Sequence, residues 1–236
     1  MQKALFRGWL ILWLLAICLF LYPINTLSIR IGLIGSLLGV LAGCFYFGRR
    51  HKVFSAALLT FTLFFAGFLI CPGRTPDRKQ LRETYVSCLR SYKGTKYIWG
   101  GENMFGIDCS GLIRAGLIKA SFREGLRTLN PRLIRDSLSL WWHDASAQAL
   151  GQEYRQQTQQ LFTSSSINEM DQNRMTPGDI AVTASGVHVL AYLGDGEWIE
   201  ADPQFGKVII VQVPAEKNPW FQEPVKILRW RLLDGT

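Results

Sequence analysis

Tyr97-Ile-Trp-Gly-Gly-Glu-Asn-Met-Phe-Gly-Ile-Asp-Cys-Ser-Gly-Leu112 is the stretch on which the reading of this chain turns. A glycine-rich turn leads into Asp108-Cys109-Ser110-Gly111, and a mostly apolar run with small residues (Gly111, Ala115, Gly116, Ala120) follows. Ser110–Phe122 reads as a central helix, because small residues let a helix pack closely on a sheet. Cys109 then sits at or near a helix N-terminus. There the unpaired N–H groups and the positive end of the dipole favour thiolate over thiol, and Asp108 or Ser110 can cap the same helix. A buried small hydrophobe is the competing reading of a lone cysteine. Against it stands Val187-His188-Val189, about eighty residues on, which opens a strand-like run able to bring a base to the thiol.

Working outward, Leu81–Tyr92 reads as an amphipathic helix, with Leu81, Tyr85, Cys88, Leu89 and Tyr92 at spacings of three and four. Beyond Met175 the period changes to that of strands. Asp179–Ala184, Val187–Leu193, Trp198–Ala201, Lys207–Val213 and Val225–Leu232 are β-rich runs separated by short turns. Short connections predict an antiparallel meander. Helices first and strands afterwards predict an α+β fold with a five-stranded sheet. Between the two parts, residues 124–175 form an insertion of one or two helices and loops. Its glutamines (Gln152, Gln156, Gln157, Gln159, Gln160) read as a solvated helix face.

The first third differs in kind. Residues 1–76 hold seven Lys/Arg and no acid, whereas 77–236 are near neutral, so the net charge of +8 belongs to the N-terminal part. No basic cluster marks the second part, which argues against a nucleic-acid partner. Three apolar stretches, Trp9–Tyr22, Ile31–Phe47 and Val53–Cys71, approach or meet the 17–25 residues a membrane span requires. The first resembles a signal peptide in its charged start, but Leu19-Phe-Leu-Tyr-Pro23 lacks small residues for cleavage. The expected division is a region of three transmembrane helices at 1–76 and a single domain at 77–236. Lys3 and Arg7 before the first span, and Arg49, Arg50 and Lys52 between the second and third, place the N-terminus inside and the C-terminal domain outside, although Arg74, Arg78, Lys79 and Arg82 pull the other way. No acid lies within the spans, which argues against a transport pathway.

Cysteine hydrolysis of an amide needs a thiolate, a base that later acts as acid, a group orienting that base, and donors for the oxyanion. Cys109 offers the first. Of three histidines, His51 falls between the second and third spans, which leaves His143 and His188; His188, in a strand that should neighbour the Cys109 helix, is the expected base, and His143, in the insertion, reads more simply as a surface or aromatic-packed histidine. On the next strand Glu200 and Asp202 share a face. Glu200 is the expected orienting group, with Asp202 the runner-up and more simply a turn residue. The Cys109 N–H and a group from the Tyr97 loop can serve the oxyanion, and Tyr97 reads equally as a wall residue. Two isolated histidines without ligand spacing make no metal site. No cofactor is implied. Cys88 is the other cysteine outside the spans, and a disulfide with Cys109 is the competing use of both thiols in an exported domain.

Tyr97-x-Trp-Gly-Gly, Gly106-x-Asp-Cys-Ser-Gly-Leu112, Thr176-Pro-Gly-Asp-Ile180 and Val187-His-Val-x-x-Tyr-Leu-Gly-Asp-Gly196 resemble, in order, the motifs of the NlpC family of papain-like bacterial cysteine peptidases. The resemblance implies Cys109 as nucleophile, His188 as base and Glu200 as the third polar residue, a position often held by His, Asn or Gln. It implies that Tyr97, Asp108 and Ser110 help hold a substrate amine or the oxyanion. It also implies peptidoglycan stem peptides or muropeptides as substrate, at the outer face of a bacterial cytoplasmic membrane. Cys before His argues against the permuted lipid-acting relatives. An amidase or acyltransferase using the same residues, and an inactive cell-wall-binding module, are the alternatives.

Overall fold

The computed structural model describes residues 2–234. Three helices come first: α1 (Gln2–Leu21), α2 (Leu27–Gly48) and α3 (Lys52–Ile70). All three are long and apolar enough to cross a membrane. They extend the apolar runs read from the sequence, because the short basic and polar flanks join the same helices. Large apolar side chains such as Phe20, Leu38 and Phe64 stay exposed on their outer faces.

The polar chain begins at Asp77, whose side chain accepts from Gln80 N–H and caps α4 (Arg78–Arg90). This helix buries Leu81, Tyr85, Cys88 and Leu89, the predicted face. A small hairpin, β1 (Glu102–Asn103) and β2 (Gly106–Ile107), interrupts the glycine-rich stretch. It feeds α5 (Cys109–Arg127), the central helix. A Cβ on Gly116 would stand 2.7 Å from a Leu89 methyl, so the small residue sets how closely α5 and α4 approach. Asn130 caps α6 (Pro131–Trp142), with Pro131 in the first turn, where its missing N–H costs nothing. A five-residue helix, α7 (Ala147–Gly151), follows.

The strands are β3 (Thr158–Ser164), β4 (Ile180–Thr183), β5 (Val189–Gly194), β6 (Glu197–Asp202), β7 (Lys207–Gln212) and β8 (Val225–Trp230). They form one antiparallel sheet in the order β3-β8-β4-β5-β6-β7. The sheet therefore has six strands, not the five expected. The extra one is β3, in the segment read as a glutamine-rich helix face. Gln159 and Gln160 pair with Arg229 and Leu228, while Gln152 follows α7. An edge strand paired on one side keeps polar side chains solvated, so its sequence carries no strand-like apolar alternation.

Both sheet faces are covered. Ile180, Val182, Val189, Ala191, Ile199 and Leu228 pack with α4 and α5. Ala181, Leu190, Tyr192, Trp198 and Ile227 pack under Ile167, Met170, Met175 and Phe221 from the flanking loops. Hence Val189–Leu193 reads as a continuous apolar run with every residue buried.

The helical N-terminal part is not a loose tether. The connection from α1 to α2 lies on the glycine-rich stretch. Asn25 N–H donates to Gly100 O (3.1 Å), Glu102 N–H donates to Pro23 O (3.0 Å), and Asn103 Nδ2 donates to Tyr22 O (2.9 Å). Arg30 of α2 is 1% exposed and ion-pairs with Glu102 (3.2 Å), which also meets Arg114 of α5 (2.6 Å). Arg114 reaches Asp144 as well (2.6 Å). Burial pushes the Glu102 carboxyl upward, against the pull of Arg114 and Arg30. At the other junction, Arg135 of α6 donates to the carbonyls of Leu69 (2.6 Å) and Cys71 (2.7 Å) where α3 ends.

Candidate active site

The site starts from the N-cap of α5. Asp108 is extended, and its Oδ1 accepts from Gly111 N–H (2.6 Å) and Ser110 Oγ (3.1 Å). Its Oδ2 accepts from Gly100 N–H (2.7 Å). One carboxylate thus ends the helix and ties it to the Tyr97 loop. Gly111 is required for that closeness, since a Cβ there would run into the Gly101 carbonyl. Asp108 N–H also donates to Gly101 O (3.0 Å). Cys109 is the first residue of the helix, so its N–H has no carbonyl to meet within α5. Its side chain is 8% exposed, with Sγ 3.9 Å from Val187 O.

His188 lies just before β5, in the bend that follows Gly186, rather than inside the strand as read from the sequence. Thr183 at the end of β4 fixes its backbone: His188 N–H donates to Thr183 Oγ1 (3.1 Å), and Thr183 N–H donates to His188 O (3.1 Å). The ring is 2% exposed. Its Nε2 lies 2.7 Å from Glu200 Oε2, which leaves Nδ1 for the thiol. Burial alone disfavours the imidazolium, but the hydrogen bonds to Cys109 and Glu200 and their charges overcome it and hold the His188 pKa at about 9. Both partners thus favour the protonated ring.

Glu200 is 0% exposed, and its second oxygen accepts from Asn218 Nδ2 (2.6 Å). Trp220 stacks on the His188 ring, with centroids 4.3 Å apart and planes at 18°. Neither Asn218 nor Trp220 stood out in the sequence. The available signal was Asn218-Pro-Trp220 inside an unusually long connection, where Asn218 caps a short turn and Pro219 fixes it. Asp202, the runner-up, is a turn residue here: Oδ1 accepts from the N–H groups of Gln204 and Phe205 (3.0 Å for the latter). Its Oδ2 is buried with no hydrogen-bond partner among the described residues.

Tyr97 is half-buried, and its pKa is pushed up to about 12 by burial and then by Cys109, Asp108 and Asp202, which places the phenol beside these groups. His143 stands apart: it ends α6, with Nδ1 2.9 Å from Ser139 O. His51 precedes α3. All five cysteines are free, so Cys88 and Cys109 are not joined. Among the described residues no group of His, Cys, Asp or Glu is arranged to hold a metal.

The chain has no match among curated proteins. Among solved structures it is similar to the peptidoglycan hydrolase RipB from Mycobacterium tuberculosis, at 20% identity over 77% of this chain and 86% of that one, with a TM-score of 0.42. It is also similar to the P60 domain of an antigen from M. avium subspecies paratuberculosis, at 20% identity over 67% and 98%, TM-score 0.41. A third is NlpC1 from Trichomonas vaginalis, at 20% identity and TM-score 0.40 over 63% of this chain; the match spans 43% of that protein. The model of the NlpC/P60 family matches residues 94–229, more than half of the chain and the whole of the Cys109–His188–Glu200 arrangement, so the chain belongs to the NlpC/P60 family.

Proposed function

We propose that the chain is a membrane-anchored cysteine peptidase that hydrolyses an amide bond in peptidoglycan stem peptides, with Cys109 as nucleophile, His188 as base and then acid, and Glu200 orienting the ring. The observation that carries this reading is the buried His188 ring, with Nε2 2.7 Å from Glu200 and a pKa raised by its hydrogen bonds to Cys109 and Glu200. Family membership supports a cell-wall substrate.

In this reading His188 takes the Cys109 thiol proton as Sγ attacks the scissile carbonyl carbon. The Cys109 N–H and a donor from the Tyr97 loop receive the oxyanion. As the tetrahedral intermediate collapses, the C–N bond breaks and His188 passes its proton to the leaving amine. A water molecule, deprotonated by the now neutral His188, cleaves the thioester, and the departing Cys109 sulfur takes the proton back from the ring. Asp108 accepts three hydrogen bonds within the protein, so its first role is to hold the loop against α5. Its remaining acceptor site, with Ser110 and Tyr97, is the proposed contact for a substrate amine.

Residues 1–76 are proposed as the anchor, with α1–α3 spanning a bacterial cytoplasmic membrane and the domain from residue 77 outside. The α1–α2 connection and the end of α3 both contact that domain, so they lie on one side. The basic Arg49–Lys52 turn falls on the other, in line with the charge bias.

The test is digestion of purified peptidoglycan and of free muropeptides by the full chain, beside Cys109→Ala, His188→Ala and His143→Ala. Product masses identify the bond cut. Cleavage lost in the first two variants and kept in the third is expected. No cleavage by the wild-type chain, with Cys109 inert to an alkylating probe at neutral pH, refutes the peptidase and favours a binding module.

A further inference from the structure

A cavity of about 740 Å³ lies where the helical N-terminal part meets the family domain. Phe20 of α1 and Ile34 and Leu37 of α2 wall one side, and Ile118 and Phe122 of α5 with Leu138 of α6 wall the other. Its size lies within the ~300–1,000 Å³ typical of ligand sites. Leu37 is ten residues into α2 from Leu27. At 1.5 Å per residue that is a depth of roughly 15 Å, about half of a hydrocarbon core ~30 Å thick. The exposed apolar walls, Phe20, Leu37, Phe122 and Leu138 among them, suit an apolar occupant.

The lining also has polar groups. Asn103 of the β1–β2 hairpin and Lys119 of α5 are among them, with Glu102, whose carboxylate is taken up by Arg30 and Arg114. Lys119 is exposed and makes no ion pair among the described residues. Its Nζ donates to Ser91 Oγ (3.1 Å) and stands 5.3 Å from the Tyr92 ring centroid. An exposed cation on the wall of a largely apolar cavity suits an anionic head group carried on a hydrocarbon tail. The cavity also shares a helix with the thiol. Ile118 is nine residues from Cys109 on α5, roughly 14 Å along the axis. The buried Arg30–Glu102–Arg114 cluster and the backbone bonds from Pro23 and Asn25 fix the family domain on the helices. In a bilayer the thiol therefore stays close to the membrane surface.

We propose that this cavity seats the hydrocarbon tail of a lipid-linked stem peptide, with the phosphate of the link beside Lys119 and the peptide led toward Cys109. The proposal rests on the peptidase reading and specifies its substrate as membrane-borne peptide rather than finished wall. A tail moving from lipid into the cavity gains no transfer free energy, since both are apolar. The site therefore selects by shape and head group and acts on which peptide is cut.

The test uses the full chain in lipid nanodiscs with two probes. One is a disaccharide stem peptide linked through diphosphate to a long isoprenoid, and the other is the same disaccharide peptide free in solution. The wild-type chain is expected to cut the linked form with kcat/KM at least about tenfold higher, a clear difference on the scale where ~1.4 kcal/mol is one decade. Leu138→Trp, which fills the cavity, and Lys119→Glu should each remove most of that ratio. Equal rates on both probes, or variants that leave the ratio unchanged, overturn the proposal while leaving the peptidase intact. If neither probe is cut, the peptidase reading is decided by the digestion of purified peptidoglycan, and the cavity is judged on its own. An isoprenoid diphosphate with a photoreactive group in its chain should then label residues 33–37 and 118–138. Labelling spread evenly over the lipid-facing surfaces of α1–α3 overturns it.

Discussion

Glu200→Gln isolates what the buried carboxylate does for the imidazole. Glu200 Oε2 lies 2.7 Å from His188 Nε2 with both side chains out of solvent. A carboxylate that close favours the charged ring by about 1–3 pKa units. Removing its charge while keeping its shape should bring His188 from about 9 to roughly 7. At 1.36 kcal/mol per unit, that is about 3 kcal/mol of imidazolium stabilisation. The amide creates a second problem. Asn218 Nδ2 and the protonated His188 Nε2 both donate toward this group, and Gln has one acceptor oxygen where Glu has two. One donor is left facing an NH₂, a loss of about 1–3 kcal/mol. The sign for stability follows from a folded-state pKa above the unfolded one. The wild-type contribution is fully present below about pH 6.5 and is lost as pH rises through about 9. In the variant that upper edge moves down toward neutrality. Ring ¹³C titration by NMR reads it directly, because the chain has only three histidines and His51 and His143 can be assigned by replacement. The alkaline limb of cleavage should shift with it. A His188 titration that stays near 9 in Glu200→Gln refutes the reasoning.

Glu102→Gln leaves Arg30 and Arg114, both nearly out of solvent, with only the exposed Asp144 as counter-charge, and a loss of about 3 kcal/mol is expected in detergent melting of the full chain. Gly111→Ala drives a methyl into the Gly101 carbonyl. It should cost about 1–3 kcal/mol and lower kcat by loosening the loop over Cys109, read by parallel melting and turnover. Trp220→Ala removes the ring stacked on His188; beyond lost area this costs about 0.5–1.5 kcal/mol, and solvent-exchange protection of the His188 ring should fall relative to Trp220→Phe.

The parts of the site close in sequence were legible. Cys109 at the helix start and a cap from Asp108 or Ser110 follow from local geometry; the structure assigns the cap to Asp108 and sets Gly111 against the Gly101 carbonyl rather than the sheet. His188 and Glu200 were within reach because one hairpin joins them. Asn218 and Trp220 were not, since they lie in an irregular connection whose path depends on packing under the second face of the sheet. Strand β3 was hidden for a related reason. Thr158–Ser164 becomes a strand through its pairing with β8, and its glutamines supply no period that would announce it. The ion cluster was hidden too: Arg30, Glu102, Arg114 and Asp144 are scattered through the sequence, and only tertiary contact shows that they neutralise one another.

The connection between α1 and α2 bears on how this protein can be handled. Pro23 supplies the acceptor for Glu102 N–H, Asn25 occupies the Gly100 carbonyl, and Arg30 provides one of the cations on Glu102. A chain trimmed to begin at residue 77 therefore loses a backbone partner on each side of Gly101 and opens the floor beneath the thiol-bearing helix to water. The helices that look like a removable anchor are masonry for the loop that carries the site, and a truncated preparation that fails to turn over would report on that missing wall before it reported on Cys109.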